Sequence, residues 1–114
     1  MWIRRKVKKG TGTGSKIGFP TLNFNVEQFG ESYIEGVYVC KVKIGDKLYN
    51  GALFFGPRMG SRAKVLEVYV IGFNKIIYNQ FVRFRIIKKI RNPKKFEGLG
   101  ELKKQIEEDL RFLK

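Results

Sequence analysis

Val37-Tyr38-Val39-Cys40-Lys41-Val42-Lys43-Ile44-Gly45-Asp46-Lys47-Leu48-Tyr49-Asn50-Gly51-Ala52-Leu53-Phe54-Phe55 holds the strongest structural signal in the chain. Tyr38, Cys40, Val42 and Ile44 alternate with Val37, Val39, Lys41 and Lys43, a period of two that puts one set of side chains on each face of a strand. Gly45-Asp46 then marks a tight turn, and Lys47–Phe55 continues as the second arm of a hairpin. Working outward, Lys64–Ile71 predicts a third strand. Phe81–Ile90 predicts a long one, with Val82, Phe84, Ile86 and Ile90 on one face. Trp2–Val7 and Thr21–Phe24 supply shorter candidates. Short strands joined by glycine-rich turns point to an antiparallel sandwich or barrel, and a barrel removes the edges that a small sheet would expose.

The C-terminal end follows a different period. Leu99, Leu102, Ile106, Leu110 and Leu113 are spaced by three, four, four and three, one stripe of a helix. Glu101 in its first turn and Arg111 and Lys114 in its last suit the helix dipole. The expectation is one domain over residues 1–114, a mainly β barrel with a C-terminal helix packed on it.

The chain has 114 residues, with 24 Lys and Arg against 10 Asp and Glu, a net charge of +14. Residues 99–114 hold four cations and four anions, so all of the excess lies in the first 98. Such a field attracts polyanions, and incidental nucleic-acid affinity is one expectation. There is no histidine, which excludes imidazole-dependent triads and the usual zinc sites. One cysteine permits no internal disulfide and suits a reducing compartment. Val68–Phe73, the longest uncharged apolar run, is too short to span a bilayer, and the basic N-terminus lacks the apolar segment of a signal peptide. The expected setting is the cytoplasm, without membrane association and as a monomer.

Lys9-Gly10-Thr11-Gly12-Thr13-Gly14-Ser15-Lys16-Ile17-Gly18-Phe19-Pro20-Thr21-Leu22-Asn23 carries the most chemistry. Its closely spaced glycines let backbone amides approach an anion, and Lys9 and Lys16 add charge. It is neither a Walker A loop nor a dinucleotide fingerprint, because no Gly-Lys-Ser/Thr follows and no helix opens after it. As a glycine-rich segment alone it reads first as a flexible surface loop. Its continuation differs: Pro20 fixes the entry into a strand, so the Thr21 hydroxyl and Asn23 carboxamide can face a hard cation together. Magnesium takes oxygen ligands and draws the rest from water and phosphate.

Glu67 is the only acid between Asp46 and Glu97 and shares a strand face with Val65 and Tyr69. It is either a salt-bridge partner for Arg83 or Arg85 or a catalytic base. Without histidine a base must be a carboxylate, Lys, Tyr or the Cys, and Glu67 is the best placed.

These residues resemble the riboflavin kinases of the bacterial and eukaryotic type. The glycine loop through Gly18-Phe19-Pro20-Thr21-Leu22-Asn23 is similar to that family's loop and its G-F-P-T-A-N signature. Gly36-Val37-Tyr38, Tyr49-x-Gly51, Gly56, Leu66-Glu67-Val68, Tyr78, Ile90-Arg91 with Lys95-Phe96, and Leu102, Gln105, Ile106 and Asp109 follow in the family's order. Departures are Leu22 for alanine, a 56–61 loop without the second Pro-Thr, and Tyr69, Gly72 and Asn79 for the frequent His, Asp and Gly.

The resemblance implies a six-stranded antiparallel Greek-key barrel that transfers the γ-phosphate of ATP to the 5′-hydroxyl of riboflavin, giving FMN and ADP. It implies nucleotide binding by Gly10, Gly12, Gly14, Ser15, Lys16, Gly18, Pro20, Thr21 and Asn23. Thr21 and Asn23 would hold Mg²⁺, Glu67 would be the base, and Arg91, Lys95 and Phe96 would contact the flavin under a 91–98 flap. A Thr-Leu-Asn triplet also occurs in CTP-dependent riboflavin kinases, but the Gly-Phe-Pro before it and the setting of Glu67 favour ATP. The family's adenylyltransferase domain has no room in 114 residues, so FMN alone is the expected product. Two rival readings are a non-catalytic basic barrel binding RNA or single-stranded nucleic acid, with Tyr33, Tyr38, Phe54 and Phe55 for stacking, and a flavin-binding module without catalysis.

Overall fold

The computed structural model describes residues 1–10, 12–58 and 60–113; Thr11, Met59 and Lys114 lie outside the described residues. Six antiparallel strands make one sheet: β1 (Ile3–Lys6), β2 (Leu22–Phe24), β3 (Gly36–Ile44), β4 (Lys47–Pro57), β5 (Lys64–Val70) and β6 (Phe81–Arg91). Their spatial order is β1-β6-β3-β4-β5-β2. The hairpin-linked β3-β4-β5 with β6 returning beside β3 is a Greek key. The sheet curls into a nearly closed barrel, and its end strands meet where Lys8 N–H donates to the Asn23 carbonyl at 2.8 Å.

The β3–β4 ladder runs unbroken from Gly36↔Phe55 to Ile44↔Lys47, and Gly45 turns it with a φ of 60°. Period-two alternation buries Tyr38, Cys40, Val42, Leu53, Phe55, Leu66, Val68, Val70, Val82 and Phe84 inside the barrel. Each of the larger side chains contributes roughly 1.5–3 kcal/mol by leaving water. The one-turn helices α1 (Thr13–Lys16) and α2 (Phe29–Ser32) sit in the long connections. From α2, Phe29 enters the core, stacked on Tyr33 at 4.8 Å and edge-on to Phe55 at 4.9 Å.

Two expectations change. The β3–β6 register shifts between Val37 and Tyr38 and again between Val39 and Cys40. A bulge sends the following side chain to the other face, so the face of Val82, Phe84 and Ile86 does not continue to Ile90. The C-terminal helix α3 (Leu99–Asp109) also ends early and passes into a 3₁₀ turn, Leu110–Leu113. Arg111 therefore falls in that turn rather than at the helix end. Leu99 is exposed and Leu113 buried.

The outer surface of the barrel divides in two. Over β2, β5 and β4 it is covered by the glycine loop, the 57–62 loop, the segment after β6 and α3, which together enclose a cavity. Over β1 and the adjoining ends of β3 and β6 it is uncovered: the outward-facing Arg4, Lys6, Lys43, Phe81, Arg83 and Arg85 are exposed. No helix among the described residues is long and apolar enough to cross a membrane.

Candidate active site

The cavity holds about 1160 Å³. Its floor is the outward face of the strands: Val37 from β3, Ala52 and Phe54 from β4, Val65, Glu67 and Tyr69 from β5, and Asn23 from β2. Alternation explains the choice, since Leu66, Val68 and Val70 between them point into the core. Leu102 and Ile106 of α3 form the facing wall, so the helical stripe lines a site as well as holding the helix in place.

Register brings the chemistry together. Asn23 pairs directly with Glu67 across β2 and β5. The Thr21 hydroxyl donates to Glu67 Oε2 at 3.4 Å, and Asn23 Nδ2 donates to the Thr21 carbonyl at 3.2 Å and to Thr21 Oγ1 at 3.4 Å. Burial pushes the Glu67 carboxyl above the usual glutamate range, and the Thr21 hydrogen bond pulls partly against it. Arg83 and Arg85 lie on β6, which does not adjoin β5, and among the described residues Glu67 has no ion pair. The salt-bridge reading of Glu67 therefore falls. Cys40, the alternative nucleophile or base, is buried in the core and pushed up to about 12 by desolvation.

The glycine loop owes much of its composition to its own packing. A Cβ on Gly10 would lie 2.3 Å from Asn23 Cγ, so glycine there gives the carboxamide its place. A Cβ on Gly14 would lie 2.2 Å from the Phe19 carbonyl, while Phe19 N–H donates to the Gly14 carbonyl at 2.7 Å. Phe19 then stands edge-on to Tyr69 at 5.3 Å, which fastens the loop to β5.

Of the residues expected in the site, Gly10, Gly14, Thr21, Asn23, Glu67, Arg91, Lys95 and Phe96 line the large cavity. Ser15 and Pro20 instead line a small neighbouring hollow of about 130 Å³, with Lys75, Ile76 and Tyr78. Thr21 lines both. Gly12, Lys16 and Gly18 are exposed and line neither. Tyr38 and Phe55 are core residues, Tyr33 stacks on Phe29 and Phe54 lines the cavity, so these four aromatics form no stacking surface for bases.

Arg91 is committed elsewhere. Its Nε and one terminal nitrogen each donate to Asp109 at 2.8 Å, and the other donates to the Asn92 carbonyl at 3.0 Å. Gln105 also donates to Asp109, at 2.9 Å, and accepts from Lys94 Nζ at 3.0 Å. The guanidinium thus ties the end of β6 to α3 and shapes the wall. Sequence reasoning did not single out Asp109 for this. The signal was present: Asp109 stands three residues after Ile106 and four before Leu113, on the apolar stripe, where a carboxylate needs a buried partner. Arg58 and Arg62 in the 57–62 loop also line the cavity and were not singled out.

The donor set suits a hard divalent cation. Thr21 sends its hydroxyl proton to Glu67, leaving oxygen lone-pair capacity for a metal, and the Asn23 carboxamide is bonded through nitrogen, leaving Oδ1 without a partner among the hydrogen bonds described. Among the described residues no three His, Cys, Asp or Glu side chains gather as a metal cage. A few neutral oxygens beside one carboxylate match magnesium, which keeps water and phosphate among its ligands.

The chain is 36% identical over 112 residues to the bifunctional riboflavin kinase/FMN adenylyltransferase of Haemophilus influenzae, covering 96% of this chain and 36% of that protein. It thus spans only about a third of that relative. In structure it resembles a Streptococcus pneumoniae protein described as a macrolide-efflux protein, with a TM-score of 0.83 and 28% identity over 98% of this chain and 38% of the other. It also shares the fold of riboflavin kinase from Trypanosoma brucei, with a TM-score of 0.66 and 21% identity over 98% and 76% of the two chains. The riboflavin kinase model of the flavokinase family matches residues 1–114, and the chain belongs to the riboflavin kinase family.

Proposed function

We propose that this chain transfers the γ-phosphate of ATP to the 5′-hydroxyl of riboflavin, forming FMN and ADP, as a cytoplasmic monomer. The observation that carries the reading is the position of Thr21, Asn23 and Glu67 where a large cavity meets a small hollow, with Thr21 in both walls. The large cavity, floored by Val37, Phe54 and Val65 and walled by Leu102 and Ile106, suits a flat aromatic acceptor. The hollow beside Ser15, Pro20 and Tyr78 suits the base of the donor nucleotide. The phosphates then lie along the glycine loop between them, within reach of Lys8 and Lys9.

Glu67 accepts the proton of the attacking hydroxyl. The new bond joins that oxygen to the γ-phosphorus, the bond from phosphorus to the bridging oxygen breaks, and ADP leaves. Mg²⁺ held by Thr21 and Asn23 would neutralise charge on the phosphate oxygens. Positioning dominates such reactions, and here Gly10 and the Asn23↔Glu67 register supply it. Arg91 serves the flavin end as part of the wall, while Lys95 and Phe96 are its contacts on the flap.

The test is chromatographic detection of FMN from riboflavin with ATP or CTP, with and without Mg²⁺, for the wild type and Glu67→Gln. FMN formed with ATP, abolished by chelation and lost in the variant is the expected result. A preference for CTP would overturn the donor assignment. Riboflavin binding without turnover would leave a flavin-binding module, and neither turnover nor flavin binding would refute the kinase reading.

A further inference from the structure

The exposed outer surface over β1 and the adjoining ends of β3 and β6 takes no part in the cavity, yet it concentrates charge. Arg4 pairs across the sheet with Arg83, and Arg83 with Lys43, so three cations stand in one row over three strands. Arg85 opposite Lys41 makes the next row, ~6.6–6.8 Å along the strands, and Lys6 opposite Phe81 flanks the first on the other side. These three strands contain no Asp or Glu. The ion pairs among the described residues, Lys64–Glu35 and Arg91–Asp109, involve none of these cations. Like charges directly opposite one another weaken a sheet, so the arrangement carries a standing repulsion that a bound polyanion would relieve.

An aromatic platform lies in the same patch. The Phe81 ring is 49% exposed, with the Arg4 guanidinium 3.7 Å from its centroid and the Lys6 ammonium at 5.5 Å. Aromatic rings and guanidinium planes are the surfaces on which unpaired bases stack.

We infer that this face binds single-stranded nucleic acid, with phosphates along the cation rows and a base on the Arg4–Phe81 platform. A duplex hides the base faces that such a platform reads. An anionic bilayer is held firmly only when an apolar face also enters the lipid, whereas Phe81 is overlaid by cations. The site is separate from the cavity and does not depend on the kinase reading.

The test is fluorescence anisotropy of a labelled oligouridylate titrated with protein from about 50 to about 200 mM salt. Three proteins are compared: wild type, Arg83→Glu/Arg85→Glu, and Lys103→Glu/Lys104→Glu on exposed positions of α3, which makes the same charge change elsewhere. The expected result is a loss of about tenfold or more in affinity for the β6 pair. Its salt slope should flatten by about 1.4, two contacts at about 0.7 each. The α3 pair should bind nearly as the wild type does, and saturating ATP and riboflavin should leave binding unchanged. Thermal melting checks that each variant folds, so the result stands whether or not FMN is formed. Equal losses in both variants would overturn the inference in favour of net charge alone. Competition by ATP would move the binding to the cavity. Co-sedimentation with phosphatidylcholine/phosphatidylserine vesicles without oligonucleotide binding would make the face a membrane surface.

Discussion

Replacing Gly10 by Ala adds one methyl group, and the structure gives its consequence. The new Cβ would stand 2.3 Å from Asn23 Cγ and 2.4 Å from both Nδ2 and Oδ1. Ordinary contact lies more than about 1 Å farther out. The backbone of Asn23 cannot yield, because its carbonyl accepts from Lys8 N–H at 2.8 Å and its strand is registered against Glu67. The carboxamide must therefore swing away by about 1 Å, giving up its bonds to the Thr21 carbonyl and Oγ1. Two part-buried hydrogen bonds at about 0.5–1.5 kcal/mol each bound the stability loss at roughly 1–3 kcal/mol. Activity should suffer more, since a misplacement of about 1 Å in a positioning group can cost ~10²-fold in rate. Expected is a fall of about a hundredfold in kcat/KM for FMN formation, with a melting transition still cooperative and lowered by several degrees. A folded Gly10→Ala protein with activity within about twofold of wild type would refute the assignment of Asn23 to the reaction.

Three other outcomes follow from the geometry. Asp109→Ala removes the bidentate partner of a guanidinium that is only 15% exposed, and should lower stability by about 3 kcal/mol in urea unfolding. Gly100→Ala, on α3 with open space around its Cβ, should instead raise stability by about 0.5–1 kcal/mol and leave FMN formation unchanged. In metal-free protein, Glu67 holds its proton more tightly folded than unfolded, so its contribution to stability is fully present below the ordinary glutamate range and lost as pH rises through the raised value. Glu67→Gln should accordingly match the wild type in thermal midpoint under acid conditions and exceed it at neutral pH. A difference that shrinks as pH rises would contradict the burial of the carboxylate.

Strands were legible because alternation is local. Tyr38-Val39-Cys40-Lys41-Val42-Lys43 writes both faces of β3 into six residues, and Glu67 between Leu66 and Val68 announces a carboxylate on the outward face of a strand whose other face is core. What lay over that outward face was not local. Glu67 reads first as an ion-pair partner until the strand order separates β5 from β6. Arg91 reads as a ligand contact until α3 folds back and Asp109 takes its guanidinium. The bulges near Ile90 left no mark in the apolar pattern, because bulges are settled by pairing with a neighbour.

The division of the barrel surface also explains why a +14 chain keeps one of its few carboxylates at the centre of its site. Loops and α3 cover the β2-β5-β4 side and withdraw much of Glu67 from water, which makes its charge costly unless a cation or a proton offsets it. Nearby Lys8, Lys9, Arg58 and Arg62 line the same cavity, yet among the described residues none pairs with Glu67. In the proposed reaction, a cationic cavity around an unpaired carboxylate suits an anionic phosphoryl donor: the lysines and arginines would meet its charge, and Glu67 would remain free to take the acceptor's proton. Had the sequence paired Glu67 with Arg83 or Arg85, the same residues would have made a structural ion pair. On the proposed mechanism, the strand order that keeps β5 away from β6 is therefore as much a part of the chemistry as the carboxylate itself.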